Sequence, residues 1–542
     1  MVIVPDSDII LIKSPLKLDN YNQITFSSAT DQYNYFHSLT HLEYDGCTYI
    51  RKDGVIRYAT GDNLRFEDLL GYNYCMYKND SYKDKWFYAF VTDVKYVNDG
   101  MTEVTIETDA FQSWQFNLTY ANSFIEREHV SNDTIGEHTL PEGLETGEYV
   151  CNSVGNLWSQ GKETWVGAMV TVIPDGLNVN TFHTRYGGVF CGGTIIVFQD
   201  WLSCCNFTRA YDLVDKPEAI TSMFMIPKSL CGTISSWTTC GMTKGSQTIN
   251  FSCAVPPYTD AETLLSTTSI TINNTLNGYT PRNNKLFTAP YNYFYVSNTV
   301  GTDVEFHYED FVNNAPSFKT LGCLTIGASI RAVPINYKKL ADSNTSYNHF
   351  NAGISGAKYP VCGWTNDSFT NWLTEQSINN TMGMIGGVGG IVGGAVMLGT
   401  GVGAVAGVGM IAGGIGSILT TMQNVYQHSL VPPQTKGNTN TGDVAYASGS
   451  FEFPYYKMSV RYEYAKMIDD FFTMYGYKVN RLATPNIHKR SNWDYIKCVD
   501  VNLEGDVPEN DLDKIRSLFN NGCTFWHTTS YYLDYSRTNS IL

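Results

Sequence analysis

Charge is scarce in this 542-residue sequence, and clustered positive charge scarcer still. Only 16% of residues are charged, the formal net charge is −16, and the richest short basic runs are Lys83–Lys85 and Lys489–Arg490. A stable grip on nucleic acid needs Lys and Arg gathered on one face, so that role is excluded as the main one. An acidic surface does suit DNA sliding past, because repulsion removes the attraction that counterion release supplies. The thirteen cysteines include no CxxC and follow no regular spacing; Cys204 and Cys205 are adjacent. They read as free, buried thiols of a chain folded in a reducing compartment. The N-terminal MVIVPDSDIILIKSPLKLDN has Asp6 and Asp8 where a secretion signal has a basic start and an unbroken apolar core, so no export signal is expected. GxSxG, GxxxxGK[ST] and a nucleophilic cysteine motif are all missing, and no enzyme or cofactor is predicted.

What is abundant is β-forming material. Aromatic residues make up 14% of the chain, with 37 Tyr, among short apolar alternations. Trp86 to Phe111 predicts a hairpin: Phe90, Thr92, Val94 and Tyr96 on one side, a turn at Asn98-Asp99-Gly100 built from residues tolerant of positive φ, then Val104 and Ile106 inward with Glu103, Thr105 and Glu107 outward. Thr288 to Phe311 repeats the pattern: Thr302, Val304, Phe306 and Phe311 answer to Thr102, Val104, Ile106 and Phe111, which suggests a duplicated β domain. Between them, residues 147–282 hold seven of the thirteen cysteines and strand-like GGTIIVF and TSITI, an inserted β-rich domain. Strands resume over Leu321–Lys338. Two helices are expected near the C-terminus. In the first, Ala465, Met467, Ile468, Phe471, Phe472 and Tyr475 fall at helical spacing before Gly476. The second is capped by Asn510, with Asp513 in its first turn and its end at Asn521-Gly522.

The largest anomaly is an interior stretch free of Asp, Glu, Lys and Arg from Gln376 to Thr435. Within it, Met382–Gly416 carries 15 glycines in 35 residues. Two apolar segments, Met382–Leu398 and Val402–Leu419, flank a reversal at Gly399, Thr400 and Gly401. The first presents Met382, Met384, Ile385, Val388, Ile391, Val392, Val396, Met397 and Leu398; the second Val402, Val405, Val408, Met410, Ile411, Ile415, Ile418 and Leu419. A hydrocarbon core of roughly 30 Å takes ~20 helical residues, with ~17 the lower limit, so each segment can just span it. Glycines at four-residue spacing, such as Gly383/Gly387 and Gly403/Gly407, let helices approach closely in lipid. In water the same glycines cost a helix roughly 12–15 kcal/mol in total relative to alanine. The flanking Lys/Arg of a resident membrane protein are also missing. The segment therefore reads as an element sheltered until it meets lipid. A flexible linker would favour Ser and polar spacers over this Val, Ile and Met content.

Other constellations are weaker. His37 and His41 stand four apart but lack the Glu of HExxH, so no metal site is assigned. Asp500-Val-Asn-Leu-Glu-Gly505 imitates the start of a calcium loop but has Asp511 at its twelfth position and a strand before it, and it reads as a turn.

Seven segments in order resemble the tail knob (distal tail tube) proteins of small Picovirinae-type short-tailed bacteriophages of Gram-positive hosts. They are SSATDQYNYF (Ser27–Phe36), KWFYAFVTDV (Lys85–Val94), SFIEREHV (Ser123–Val130), NNTMGMIGG (Asn379–Gly387), PPQTKGNT (Pro432–Thr439), YGYKVNR (Tyr475–Arg481) and NNGCTFWHT (Asn520–Thr528). The middle, about 150–280, carries no match. The resemblance implies a mainly β fold with a few short helices: tandem tail-tube-like β-barrel domains, an inserted β-rich domain and a long apolar loop, in a ring-forming hexamer. The corresponding division is 1–146 and 283–374 as tube-wall domains, 147–282 inserted, 375–440 the loop, and 441–542 completing the wall. It also implies that the loops plug the tube and then enter the host cytoplasmic membrane as a channel for the genome. The partners it implies are further copies of the chain, other tail proteins such as the proximal tube, membrane lipid, and DNA in transit without sequence-specific binding. The expected location is the distal tip of the virion tail after assembly in the host cytoplasm. Two competing readings are a secreted pore-forming toxin, which the missing signal disfavours, and a cell-wall hydrolase acting through the middle domain.

Overall fold

Ser7–Ile12 is a strand buried on both faces, and its alternation explains the layering around it. Ile10 and Ile12 enter one apolar cluster with Phe36, Tyr74, Met76 and Phe90, while Ile9 and Leu11 enter another with Cys75, Tyr77, Val104 and Ile106. Successive side chains of a strand point to opposite faces, so a run of Ile and Leu without polar interruption marks a sheet covered on both sides. These features come from a computed structural model. It describes residues 6–542 apart from 49, 62, 80, 81, 83, 84, 160–163, 180–184, 187, 188, 191, 192, 260, 325–327, 338–352 and 363–450. Two compact units are formed: 1–148 with 278–286 and 461–542, and 149–277 with 287–460. The described elements are mainly strands joined by a few short helices, as expected.

In the first unit a six-stranded sheet runs in the order His41–Cys47, Ser7–Ile12, Tyr74–Asn79, Trp86–Asn98, Met101–Thr108, Val55–Ala59. The expected hairpin is present, with one correction. Val91 pairs with Ile106 and Asp93 with Thr105, leaving Thr92 as an extra residue. A one-residue bulge swaps the faces beyond it. Phe90 therefore packs in one cluster and Val94 in the other, and Tyr96 is exposed. Neither Asp99 nor Gly100 takes positive φ; instead the Gly100 N–H donates to Asn98 Oδ1 at 2.9 Å, closing the turn through the asparagine side chain.

A second sheet of this unit orders Asn22–Ile24, Cys523–Trp526, Trp493–Asp500, Ser123–Glu128 and Tyr477–Ala483. Helix α1 spans Ala29–Ser38, capped by Ser28, which accepts from the Asp31 N–H. In the second unit α2 spans Trp201–Leu213. The C-terminal helices are α3, Tyr462–Tyr475, and α4, Glu509–Asn521. Helix α3 ends at Gly476, whose φ of 64° and close approach to the Glu128 carbonyl both demand a residue without Cβ. Its buried stripe is narrower than the sequence suggests: Met467 is exposed and Asp469 is buried. Helix α4 starts earlier than expected. Pro508, with φ already near the helical value, occupies the cap, so Asn510 lies inside the helix and Glu509 and Asp511 form the acidic first turn in place of Asp513.

The second unit repeats the two-faced logic. Its six-stranded sheet has the order Thr238–Lys244, Gln247–Ala254, Thr194–Phe198, Thr164–Val170, Ile220–Pro227, Val361–Cys362. Met169, Ile195 and Val197 face a cluster rich in Phe, while Ala168, Val170 and Ile196 face α2 through Phe207 and Tyr211. That helix falls inside the segment expected to be β-rich. Its signals were the Asp200 cap, accepting from the Ser203 N–H at 2.7 Å, and Cys204, Phe207, Thr208 and Tyr211 at helical spacing. The second hairpin, Asn292–Ser297 with Asp303–Phe306, lies in a four-stranded sheet ordered Tyr149–Ser159, Glu452–Val460, Asn292–Ser297, Asp303–Phe306. Phe306 and Phe311 point into the aromatic cluster, and Asp303 and Glu305 are exposed. A third sheet orders Thr263–Ser269, Ser317–Gly322, Ser329–Pro334 and Ile354–Lys358.

Candidate functional site

All twenty positions singled out as a membrane segment and its reversal, from Met382 to Leu419, lie outside the described residues. Among the described residues, no helix is long and apolar enough to cross a membrane. What the fold does fix is where this excursion leaves and returns. On the outgoing side, Ile354–Lys358 pairs with Ser329–Pro334, and the Tyr359 N–H donates to the Ala328 carbonyl at 3.1 Å. The Met225 N–H donates to the Pro360 carbonyl at 3.0 Å, and Val361 and Cys362 pair with Phe224 and Met223. On the returning side, Phe451 leads into Glu452–Val460, which lies between Tyr149–Ser159 and Asn292–Ser297 in the four-stranded sheet.

The two sides meet. The Tyr359 and Phe451 rings are 5.9 Å apart between centroids, and Tyr359, Phe451 and Phe453 are all buried in the aromatic cluster. Bringing together the ends of a chain of about 90 residues costs about 4 kcal/mol by the logarithmic rule. Burying one large apolar side chain returns about 1.5–3 kcal/mol, so these three aromatics are enough to hold the base closed. Gly356 supports the junction: a Cβ there would sit 3.2 Å from the Phe453 ring and 3.1 Å from the Ile330 carbonyl. Gly356→Val is therefore expected to destabilise the second unit by about 1–3 kcal/mol through overpacking, with Gly356→Ala milder. Equal thermal unfolding midpoints for wild type and Gly356→Val would show that the junction tolerates displacement.

The discarded constellations have structural outcomes. Asp511 is buried, with Oδ1 accepting from Lys52 Nζ at 2.6 Å and Oδ2 from Trp114 Nε1 at 2.8 Å, so both oxygens are committed away from a calcium loop. His37 and His41 do come together, with Glu43. Cys47, Cys75, Cys151, Cys231, Cys240, Cys253, Cys498 and Cys523 are thiols outside any disulfide. Cys240 and Cys253 lie 2.7 Å apart in one hairpin; their hydrogen bond lowers the pKa of Cys240 and raises that of Cys253.

Sequence patterns gave no hint of the buried polar joints in the first unit. Asp469 on α3 is fully buried and its carboxylate accepts five hydrogen bonds: from Tyr279 Oη at 2.8 Å, Arg282 Nε at 2.9 Å, the Arg282 and Asn283 backbone N–H groups at 3.1 Å, and Asn283 Nδ2 at 2.8 Å. Glu142 takes Arg127 and Lys285, and Glu128 takes Arg481 and Lys489. Burial drives the His129 pKa down to about 4, so its ring is neutral. Its Nε2–H donates to the Thr473 carbonyl while Nδ1 accepts from the Tyr495 N–H at 2.7 Å. Conserving charge within closed pairs leaves these groups as fasteners of the first unit.

Comparison with known proteins accounts for both ends of the chain. Residues 258–540 match the family described as Bacillus phage phi29, tail knob protein gp9, C-terminal domain, and residues 6–119 match the caudoviral major tail protein N-terminus. The tail knob protein gp9 of Bacillus phage PZA is 27% identical over an alignment covering 96% of each chain; that of Bacillus phage phi29 is 25% identical over the same shares. The solved structure of the bacteriophage C1 tail knob protein gp12 has the same fold, with a TM-score of 0.65 at 13% identity, covering 99% of this chain and 100% of that one. With more than half its length inside the family model, the chain belongs to the tail knob protein gp9 family of short-tailed bacteriophages.

Proposed function

We propose that this tail knob protein forms a hexameric tube at the distal end of a short phage tail, whose apolar loops first plug the lumen and then enter the host cytoplasmic membrane. Membership of the family makes the chain a structural component of the tail. The observation that carries the finer reading is the closed base at Tyr359 and Phe451, two residues that meet in the fold and between which the charge-free stretch lies in sequence. A segment so tethered can be withdrawn into a lumen or extended into lipid without unfolding the unit that bears it. Six copies of the two-segment hairpin would place twelve apolar segments around one pore, in a ring whose backbone polar groups satisfy one another. The domains of the wall, in this reading, are 1–146, 283–374 and 441–542, with 147–282 as an addition between them. Net charge of −16 suits a conduit through which DNA passes without sticking.

The test is dye release from liposomes, with the chain compared to one in which Met382–Leu419 is replaced by a polar Gly/Ser linker of equal length. Both are first checked for hexamers, and neutral and acid pH are included. Release by the wild type, absent from an equally assembled replacement, is the expected result. Equal release from both, or none from the wild type under any condition, would confine the segment to a plug or spacer.

A further inference from the structure

The geometry points to a divalent transition-metal site, of zinc type, formed by His37, His41 and Glu43 in the first unit. His37 lies in the last turn of α1, and after Leu39 the chain turns directly into the edge strand His41–Cys47. His41 and Glu43, two apart on that strand, share a face, and the turn folds His37 onto it. His37 Nε2 is 3.6 Å from Glu43 Oε2, the two imidazole centroids are 4.5 Å apart, and one ligand atom from each residue lies within 4.8 Å of the others. A tetrahedral site with bonds of about 2.0–2.1 Å has ligand atoms about 3.3 Å apart, so small side-chain rotations complete the set.

Three further features fit a metal better than an isolated ion pair. His41 Nδ1 lies 2.8 Å from the Leu39 carbonyl, which fixes the proton on Nδ1 and leaves the Nε2 lone pair outward. Metal-ligating histidines typically donate their other N–H to such a partner. Tyr33 stacks on His37 at 5.3 Å and holds its ring. The neighbouring strands carry further carboxylates, Asp8 on Ser7–Ile12 and Asp45 on His41–Cys47. The C-terminal end of α1 adds its partial negative charge. Two imidazoles and one carboxylate select Zn(II)-like ions over Mg(II) or Ca(II), which prefer all-oxygen sets. His37 and Glu43 are partly exposed, so water can fill the fourth position. Bound there, the ion would tie the end of α1 to the edge strand.

The experiment uses the full chain, stripped with EDTA and kept reduced, titrated calorimetrically with ZnCl2 and followed optically with CoCl2. His37→Gln, His41→Gln and Glu43→Gln are run alongside, with far-UV circular dichroism confirming the fold. One saturating equivalent per chain is expected, with a Co(II) spectrum free of thiolate charge transfer. Affinity in each variant should fall by more than the roughly 10–100-fold that loss of an outer partner costs. Binding unchanged in the variants, a thiolate band, or no saturation below millimolar metal would overturn the site. Should a variant fail to fold, diethyl pyrocarbonate labelling of the wild type reads the same positions. Zn(II) should protect His37 and His41, and equal labelling with and without metal would overturn the proposal.

Discussion

Asp469→Ala is expected to free the 278–286 segment from the first unit, raising amide exchange at Arg282 and Asn283 about a hundredfold or more. The two backbone N–H groups and the Arg282 side chain converge on one carboxylate with no solvent exposure. Leaving a buried donor without its acceptor costs about 1–3 kcal/mol, and the Arg282 N–H and the Asn283 N–H both lose theirs at once. That cost appears as a higher population of the locally open state. Arg282 keeps Asp470, but this carboxylate is exposed and reaches only the guanidinium. Asp469→Asn should fall between, since an amide offers a single acceptor oxygen. Met467→Ala, on the exposed face of the same helix, is the control, with an effect inside about 0.5 kcal/mol. Hydrogen–deuterium exchange with peptide mass spectrometry reads the segment directly. Unaltered protection in Asp469→Ala would mean that packing alone holds it.

The second large effect is expected from placing one carboxylate in each apolar segment, Val392→Asp with Val408→Asp. Each sits near the middle of its segment, where a charge costs about 2.5–3.5 kcal/mol on the insertion scale. Two in one hairpin amount to about 5–7 kcal/mol, a loss of roughly four to five orders of magnitude in partitioning into lipid. Release from liposomes should disappear, while Val392→Ala with Val408→Ala retains it. Both pairs should unfold like the wild type at the Tyr359–Phe451 junction, because neither changes a residue that forms it. Release that survives both aspartates would place the membrane-active surface outside these segments.

Several features were legible because short stretches of chain decide them. The end of α3 at Gly476, the inward face of Met101–Thr108 and the charge-free stretch from Gln376 to Thr435 depend on local periodicity or composition. The family resemblance likewise rested on short ordered segments at both ends of the chain. Other features depended on partners far away in sequence. The bulge at Thr92 exists only relative to the strand it pairs with, so alternation within Trp86–Asn98 could not place Val94. Helix α4 is capped by Pro508, and Asp511 of its first turn meets Lys52 and Trp114, more than 390 residues earlier. The sequence by itself determined that this protein is mainly β and carries one long apolar, glycine-dense interruption. Only the tertiary structure decided that Tyr359 and Phe451 close its base, that Asp469 holds a distant segment, and that Glu43 lies beside His37 and His41. Periodicity reports the environment of one element, whereas closure, burial of charge and ligand geometry are properties of pairs brought together by the fold.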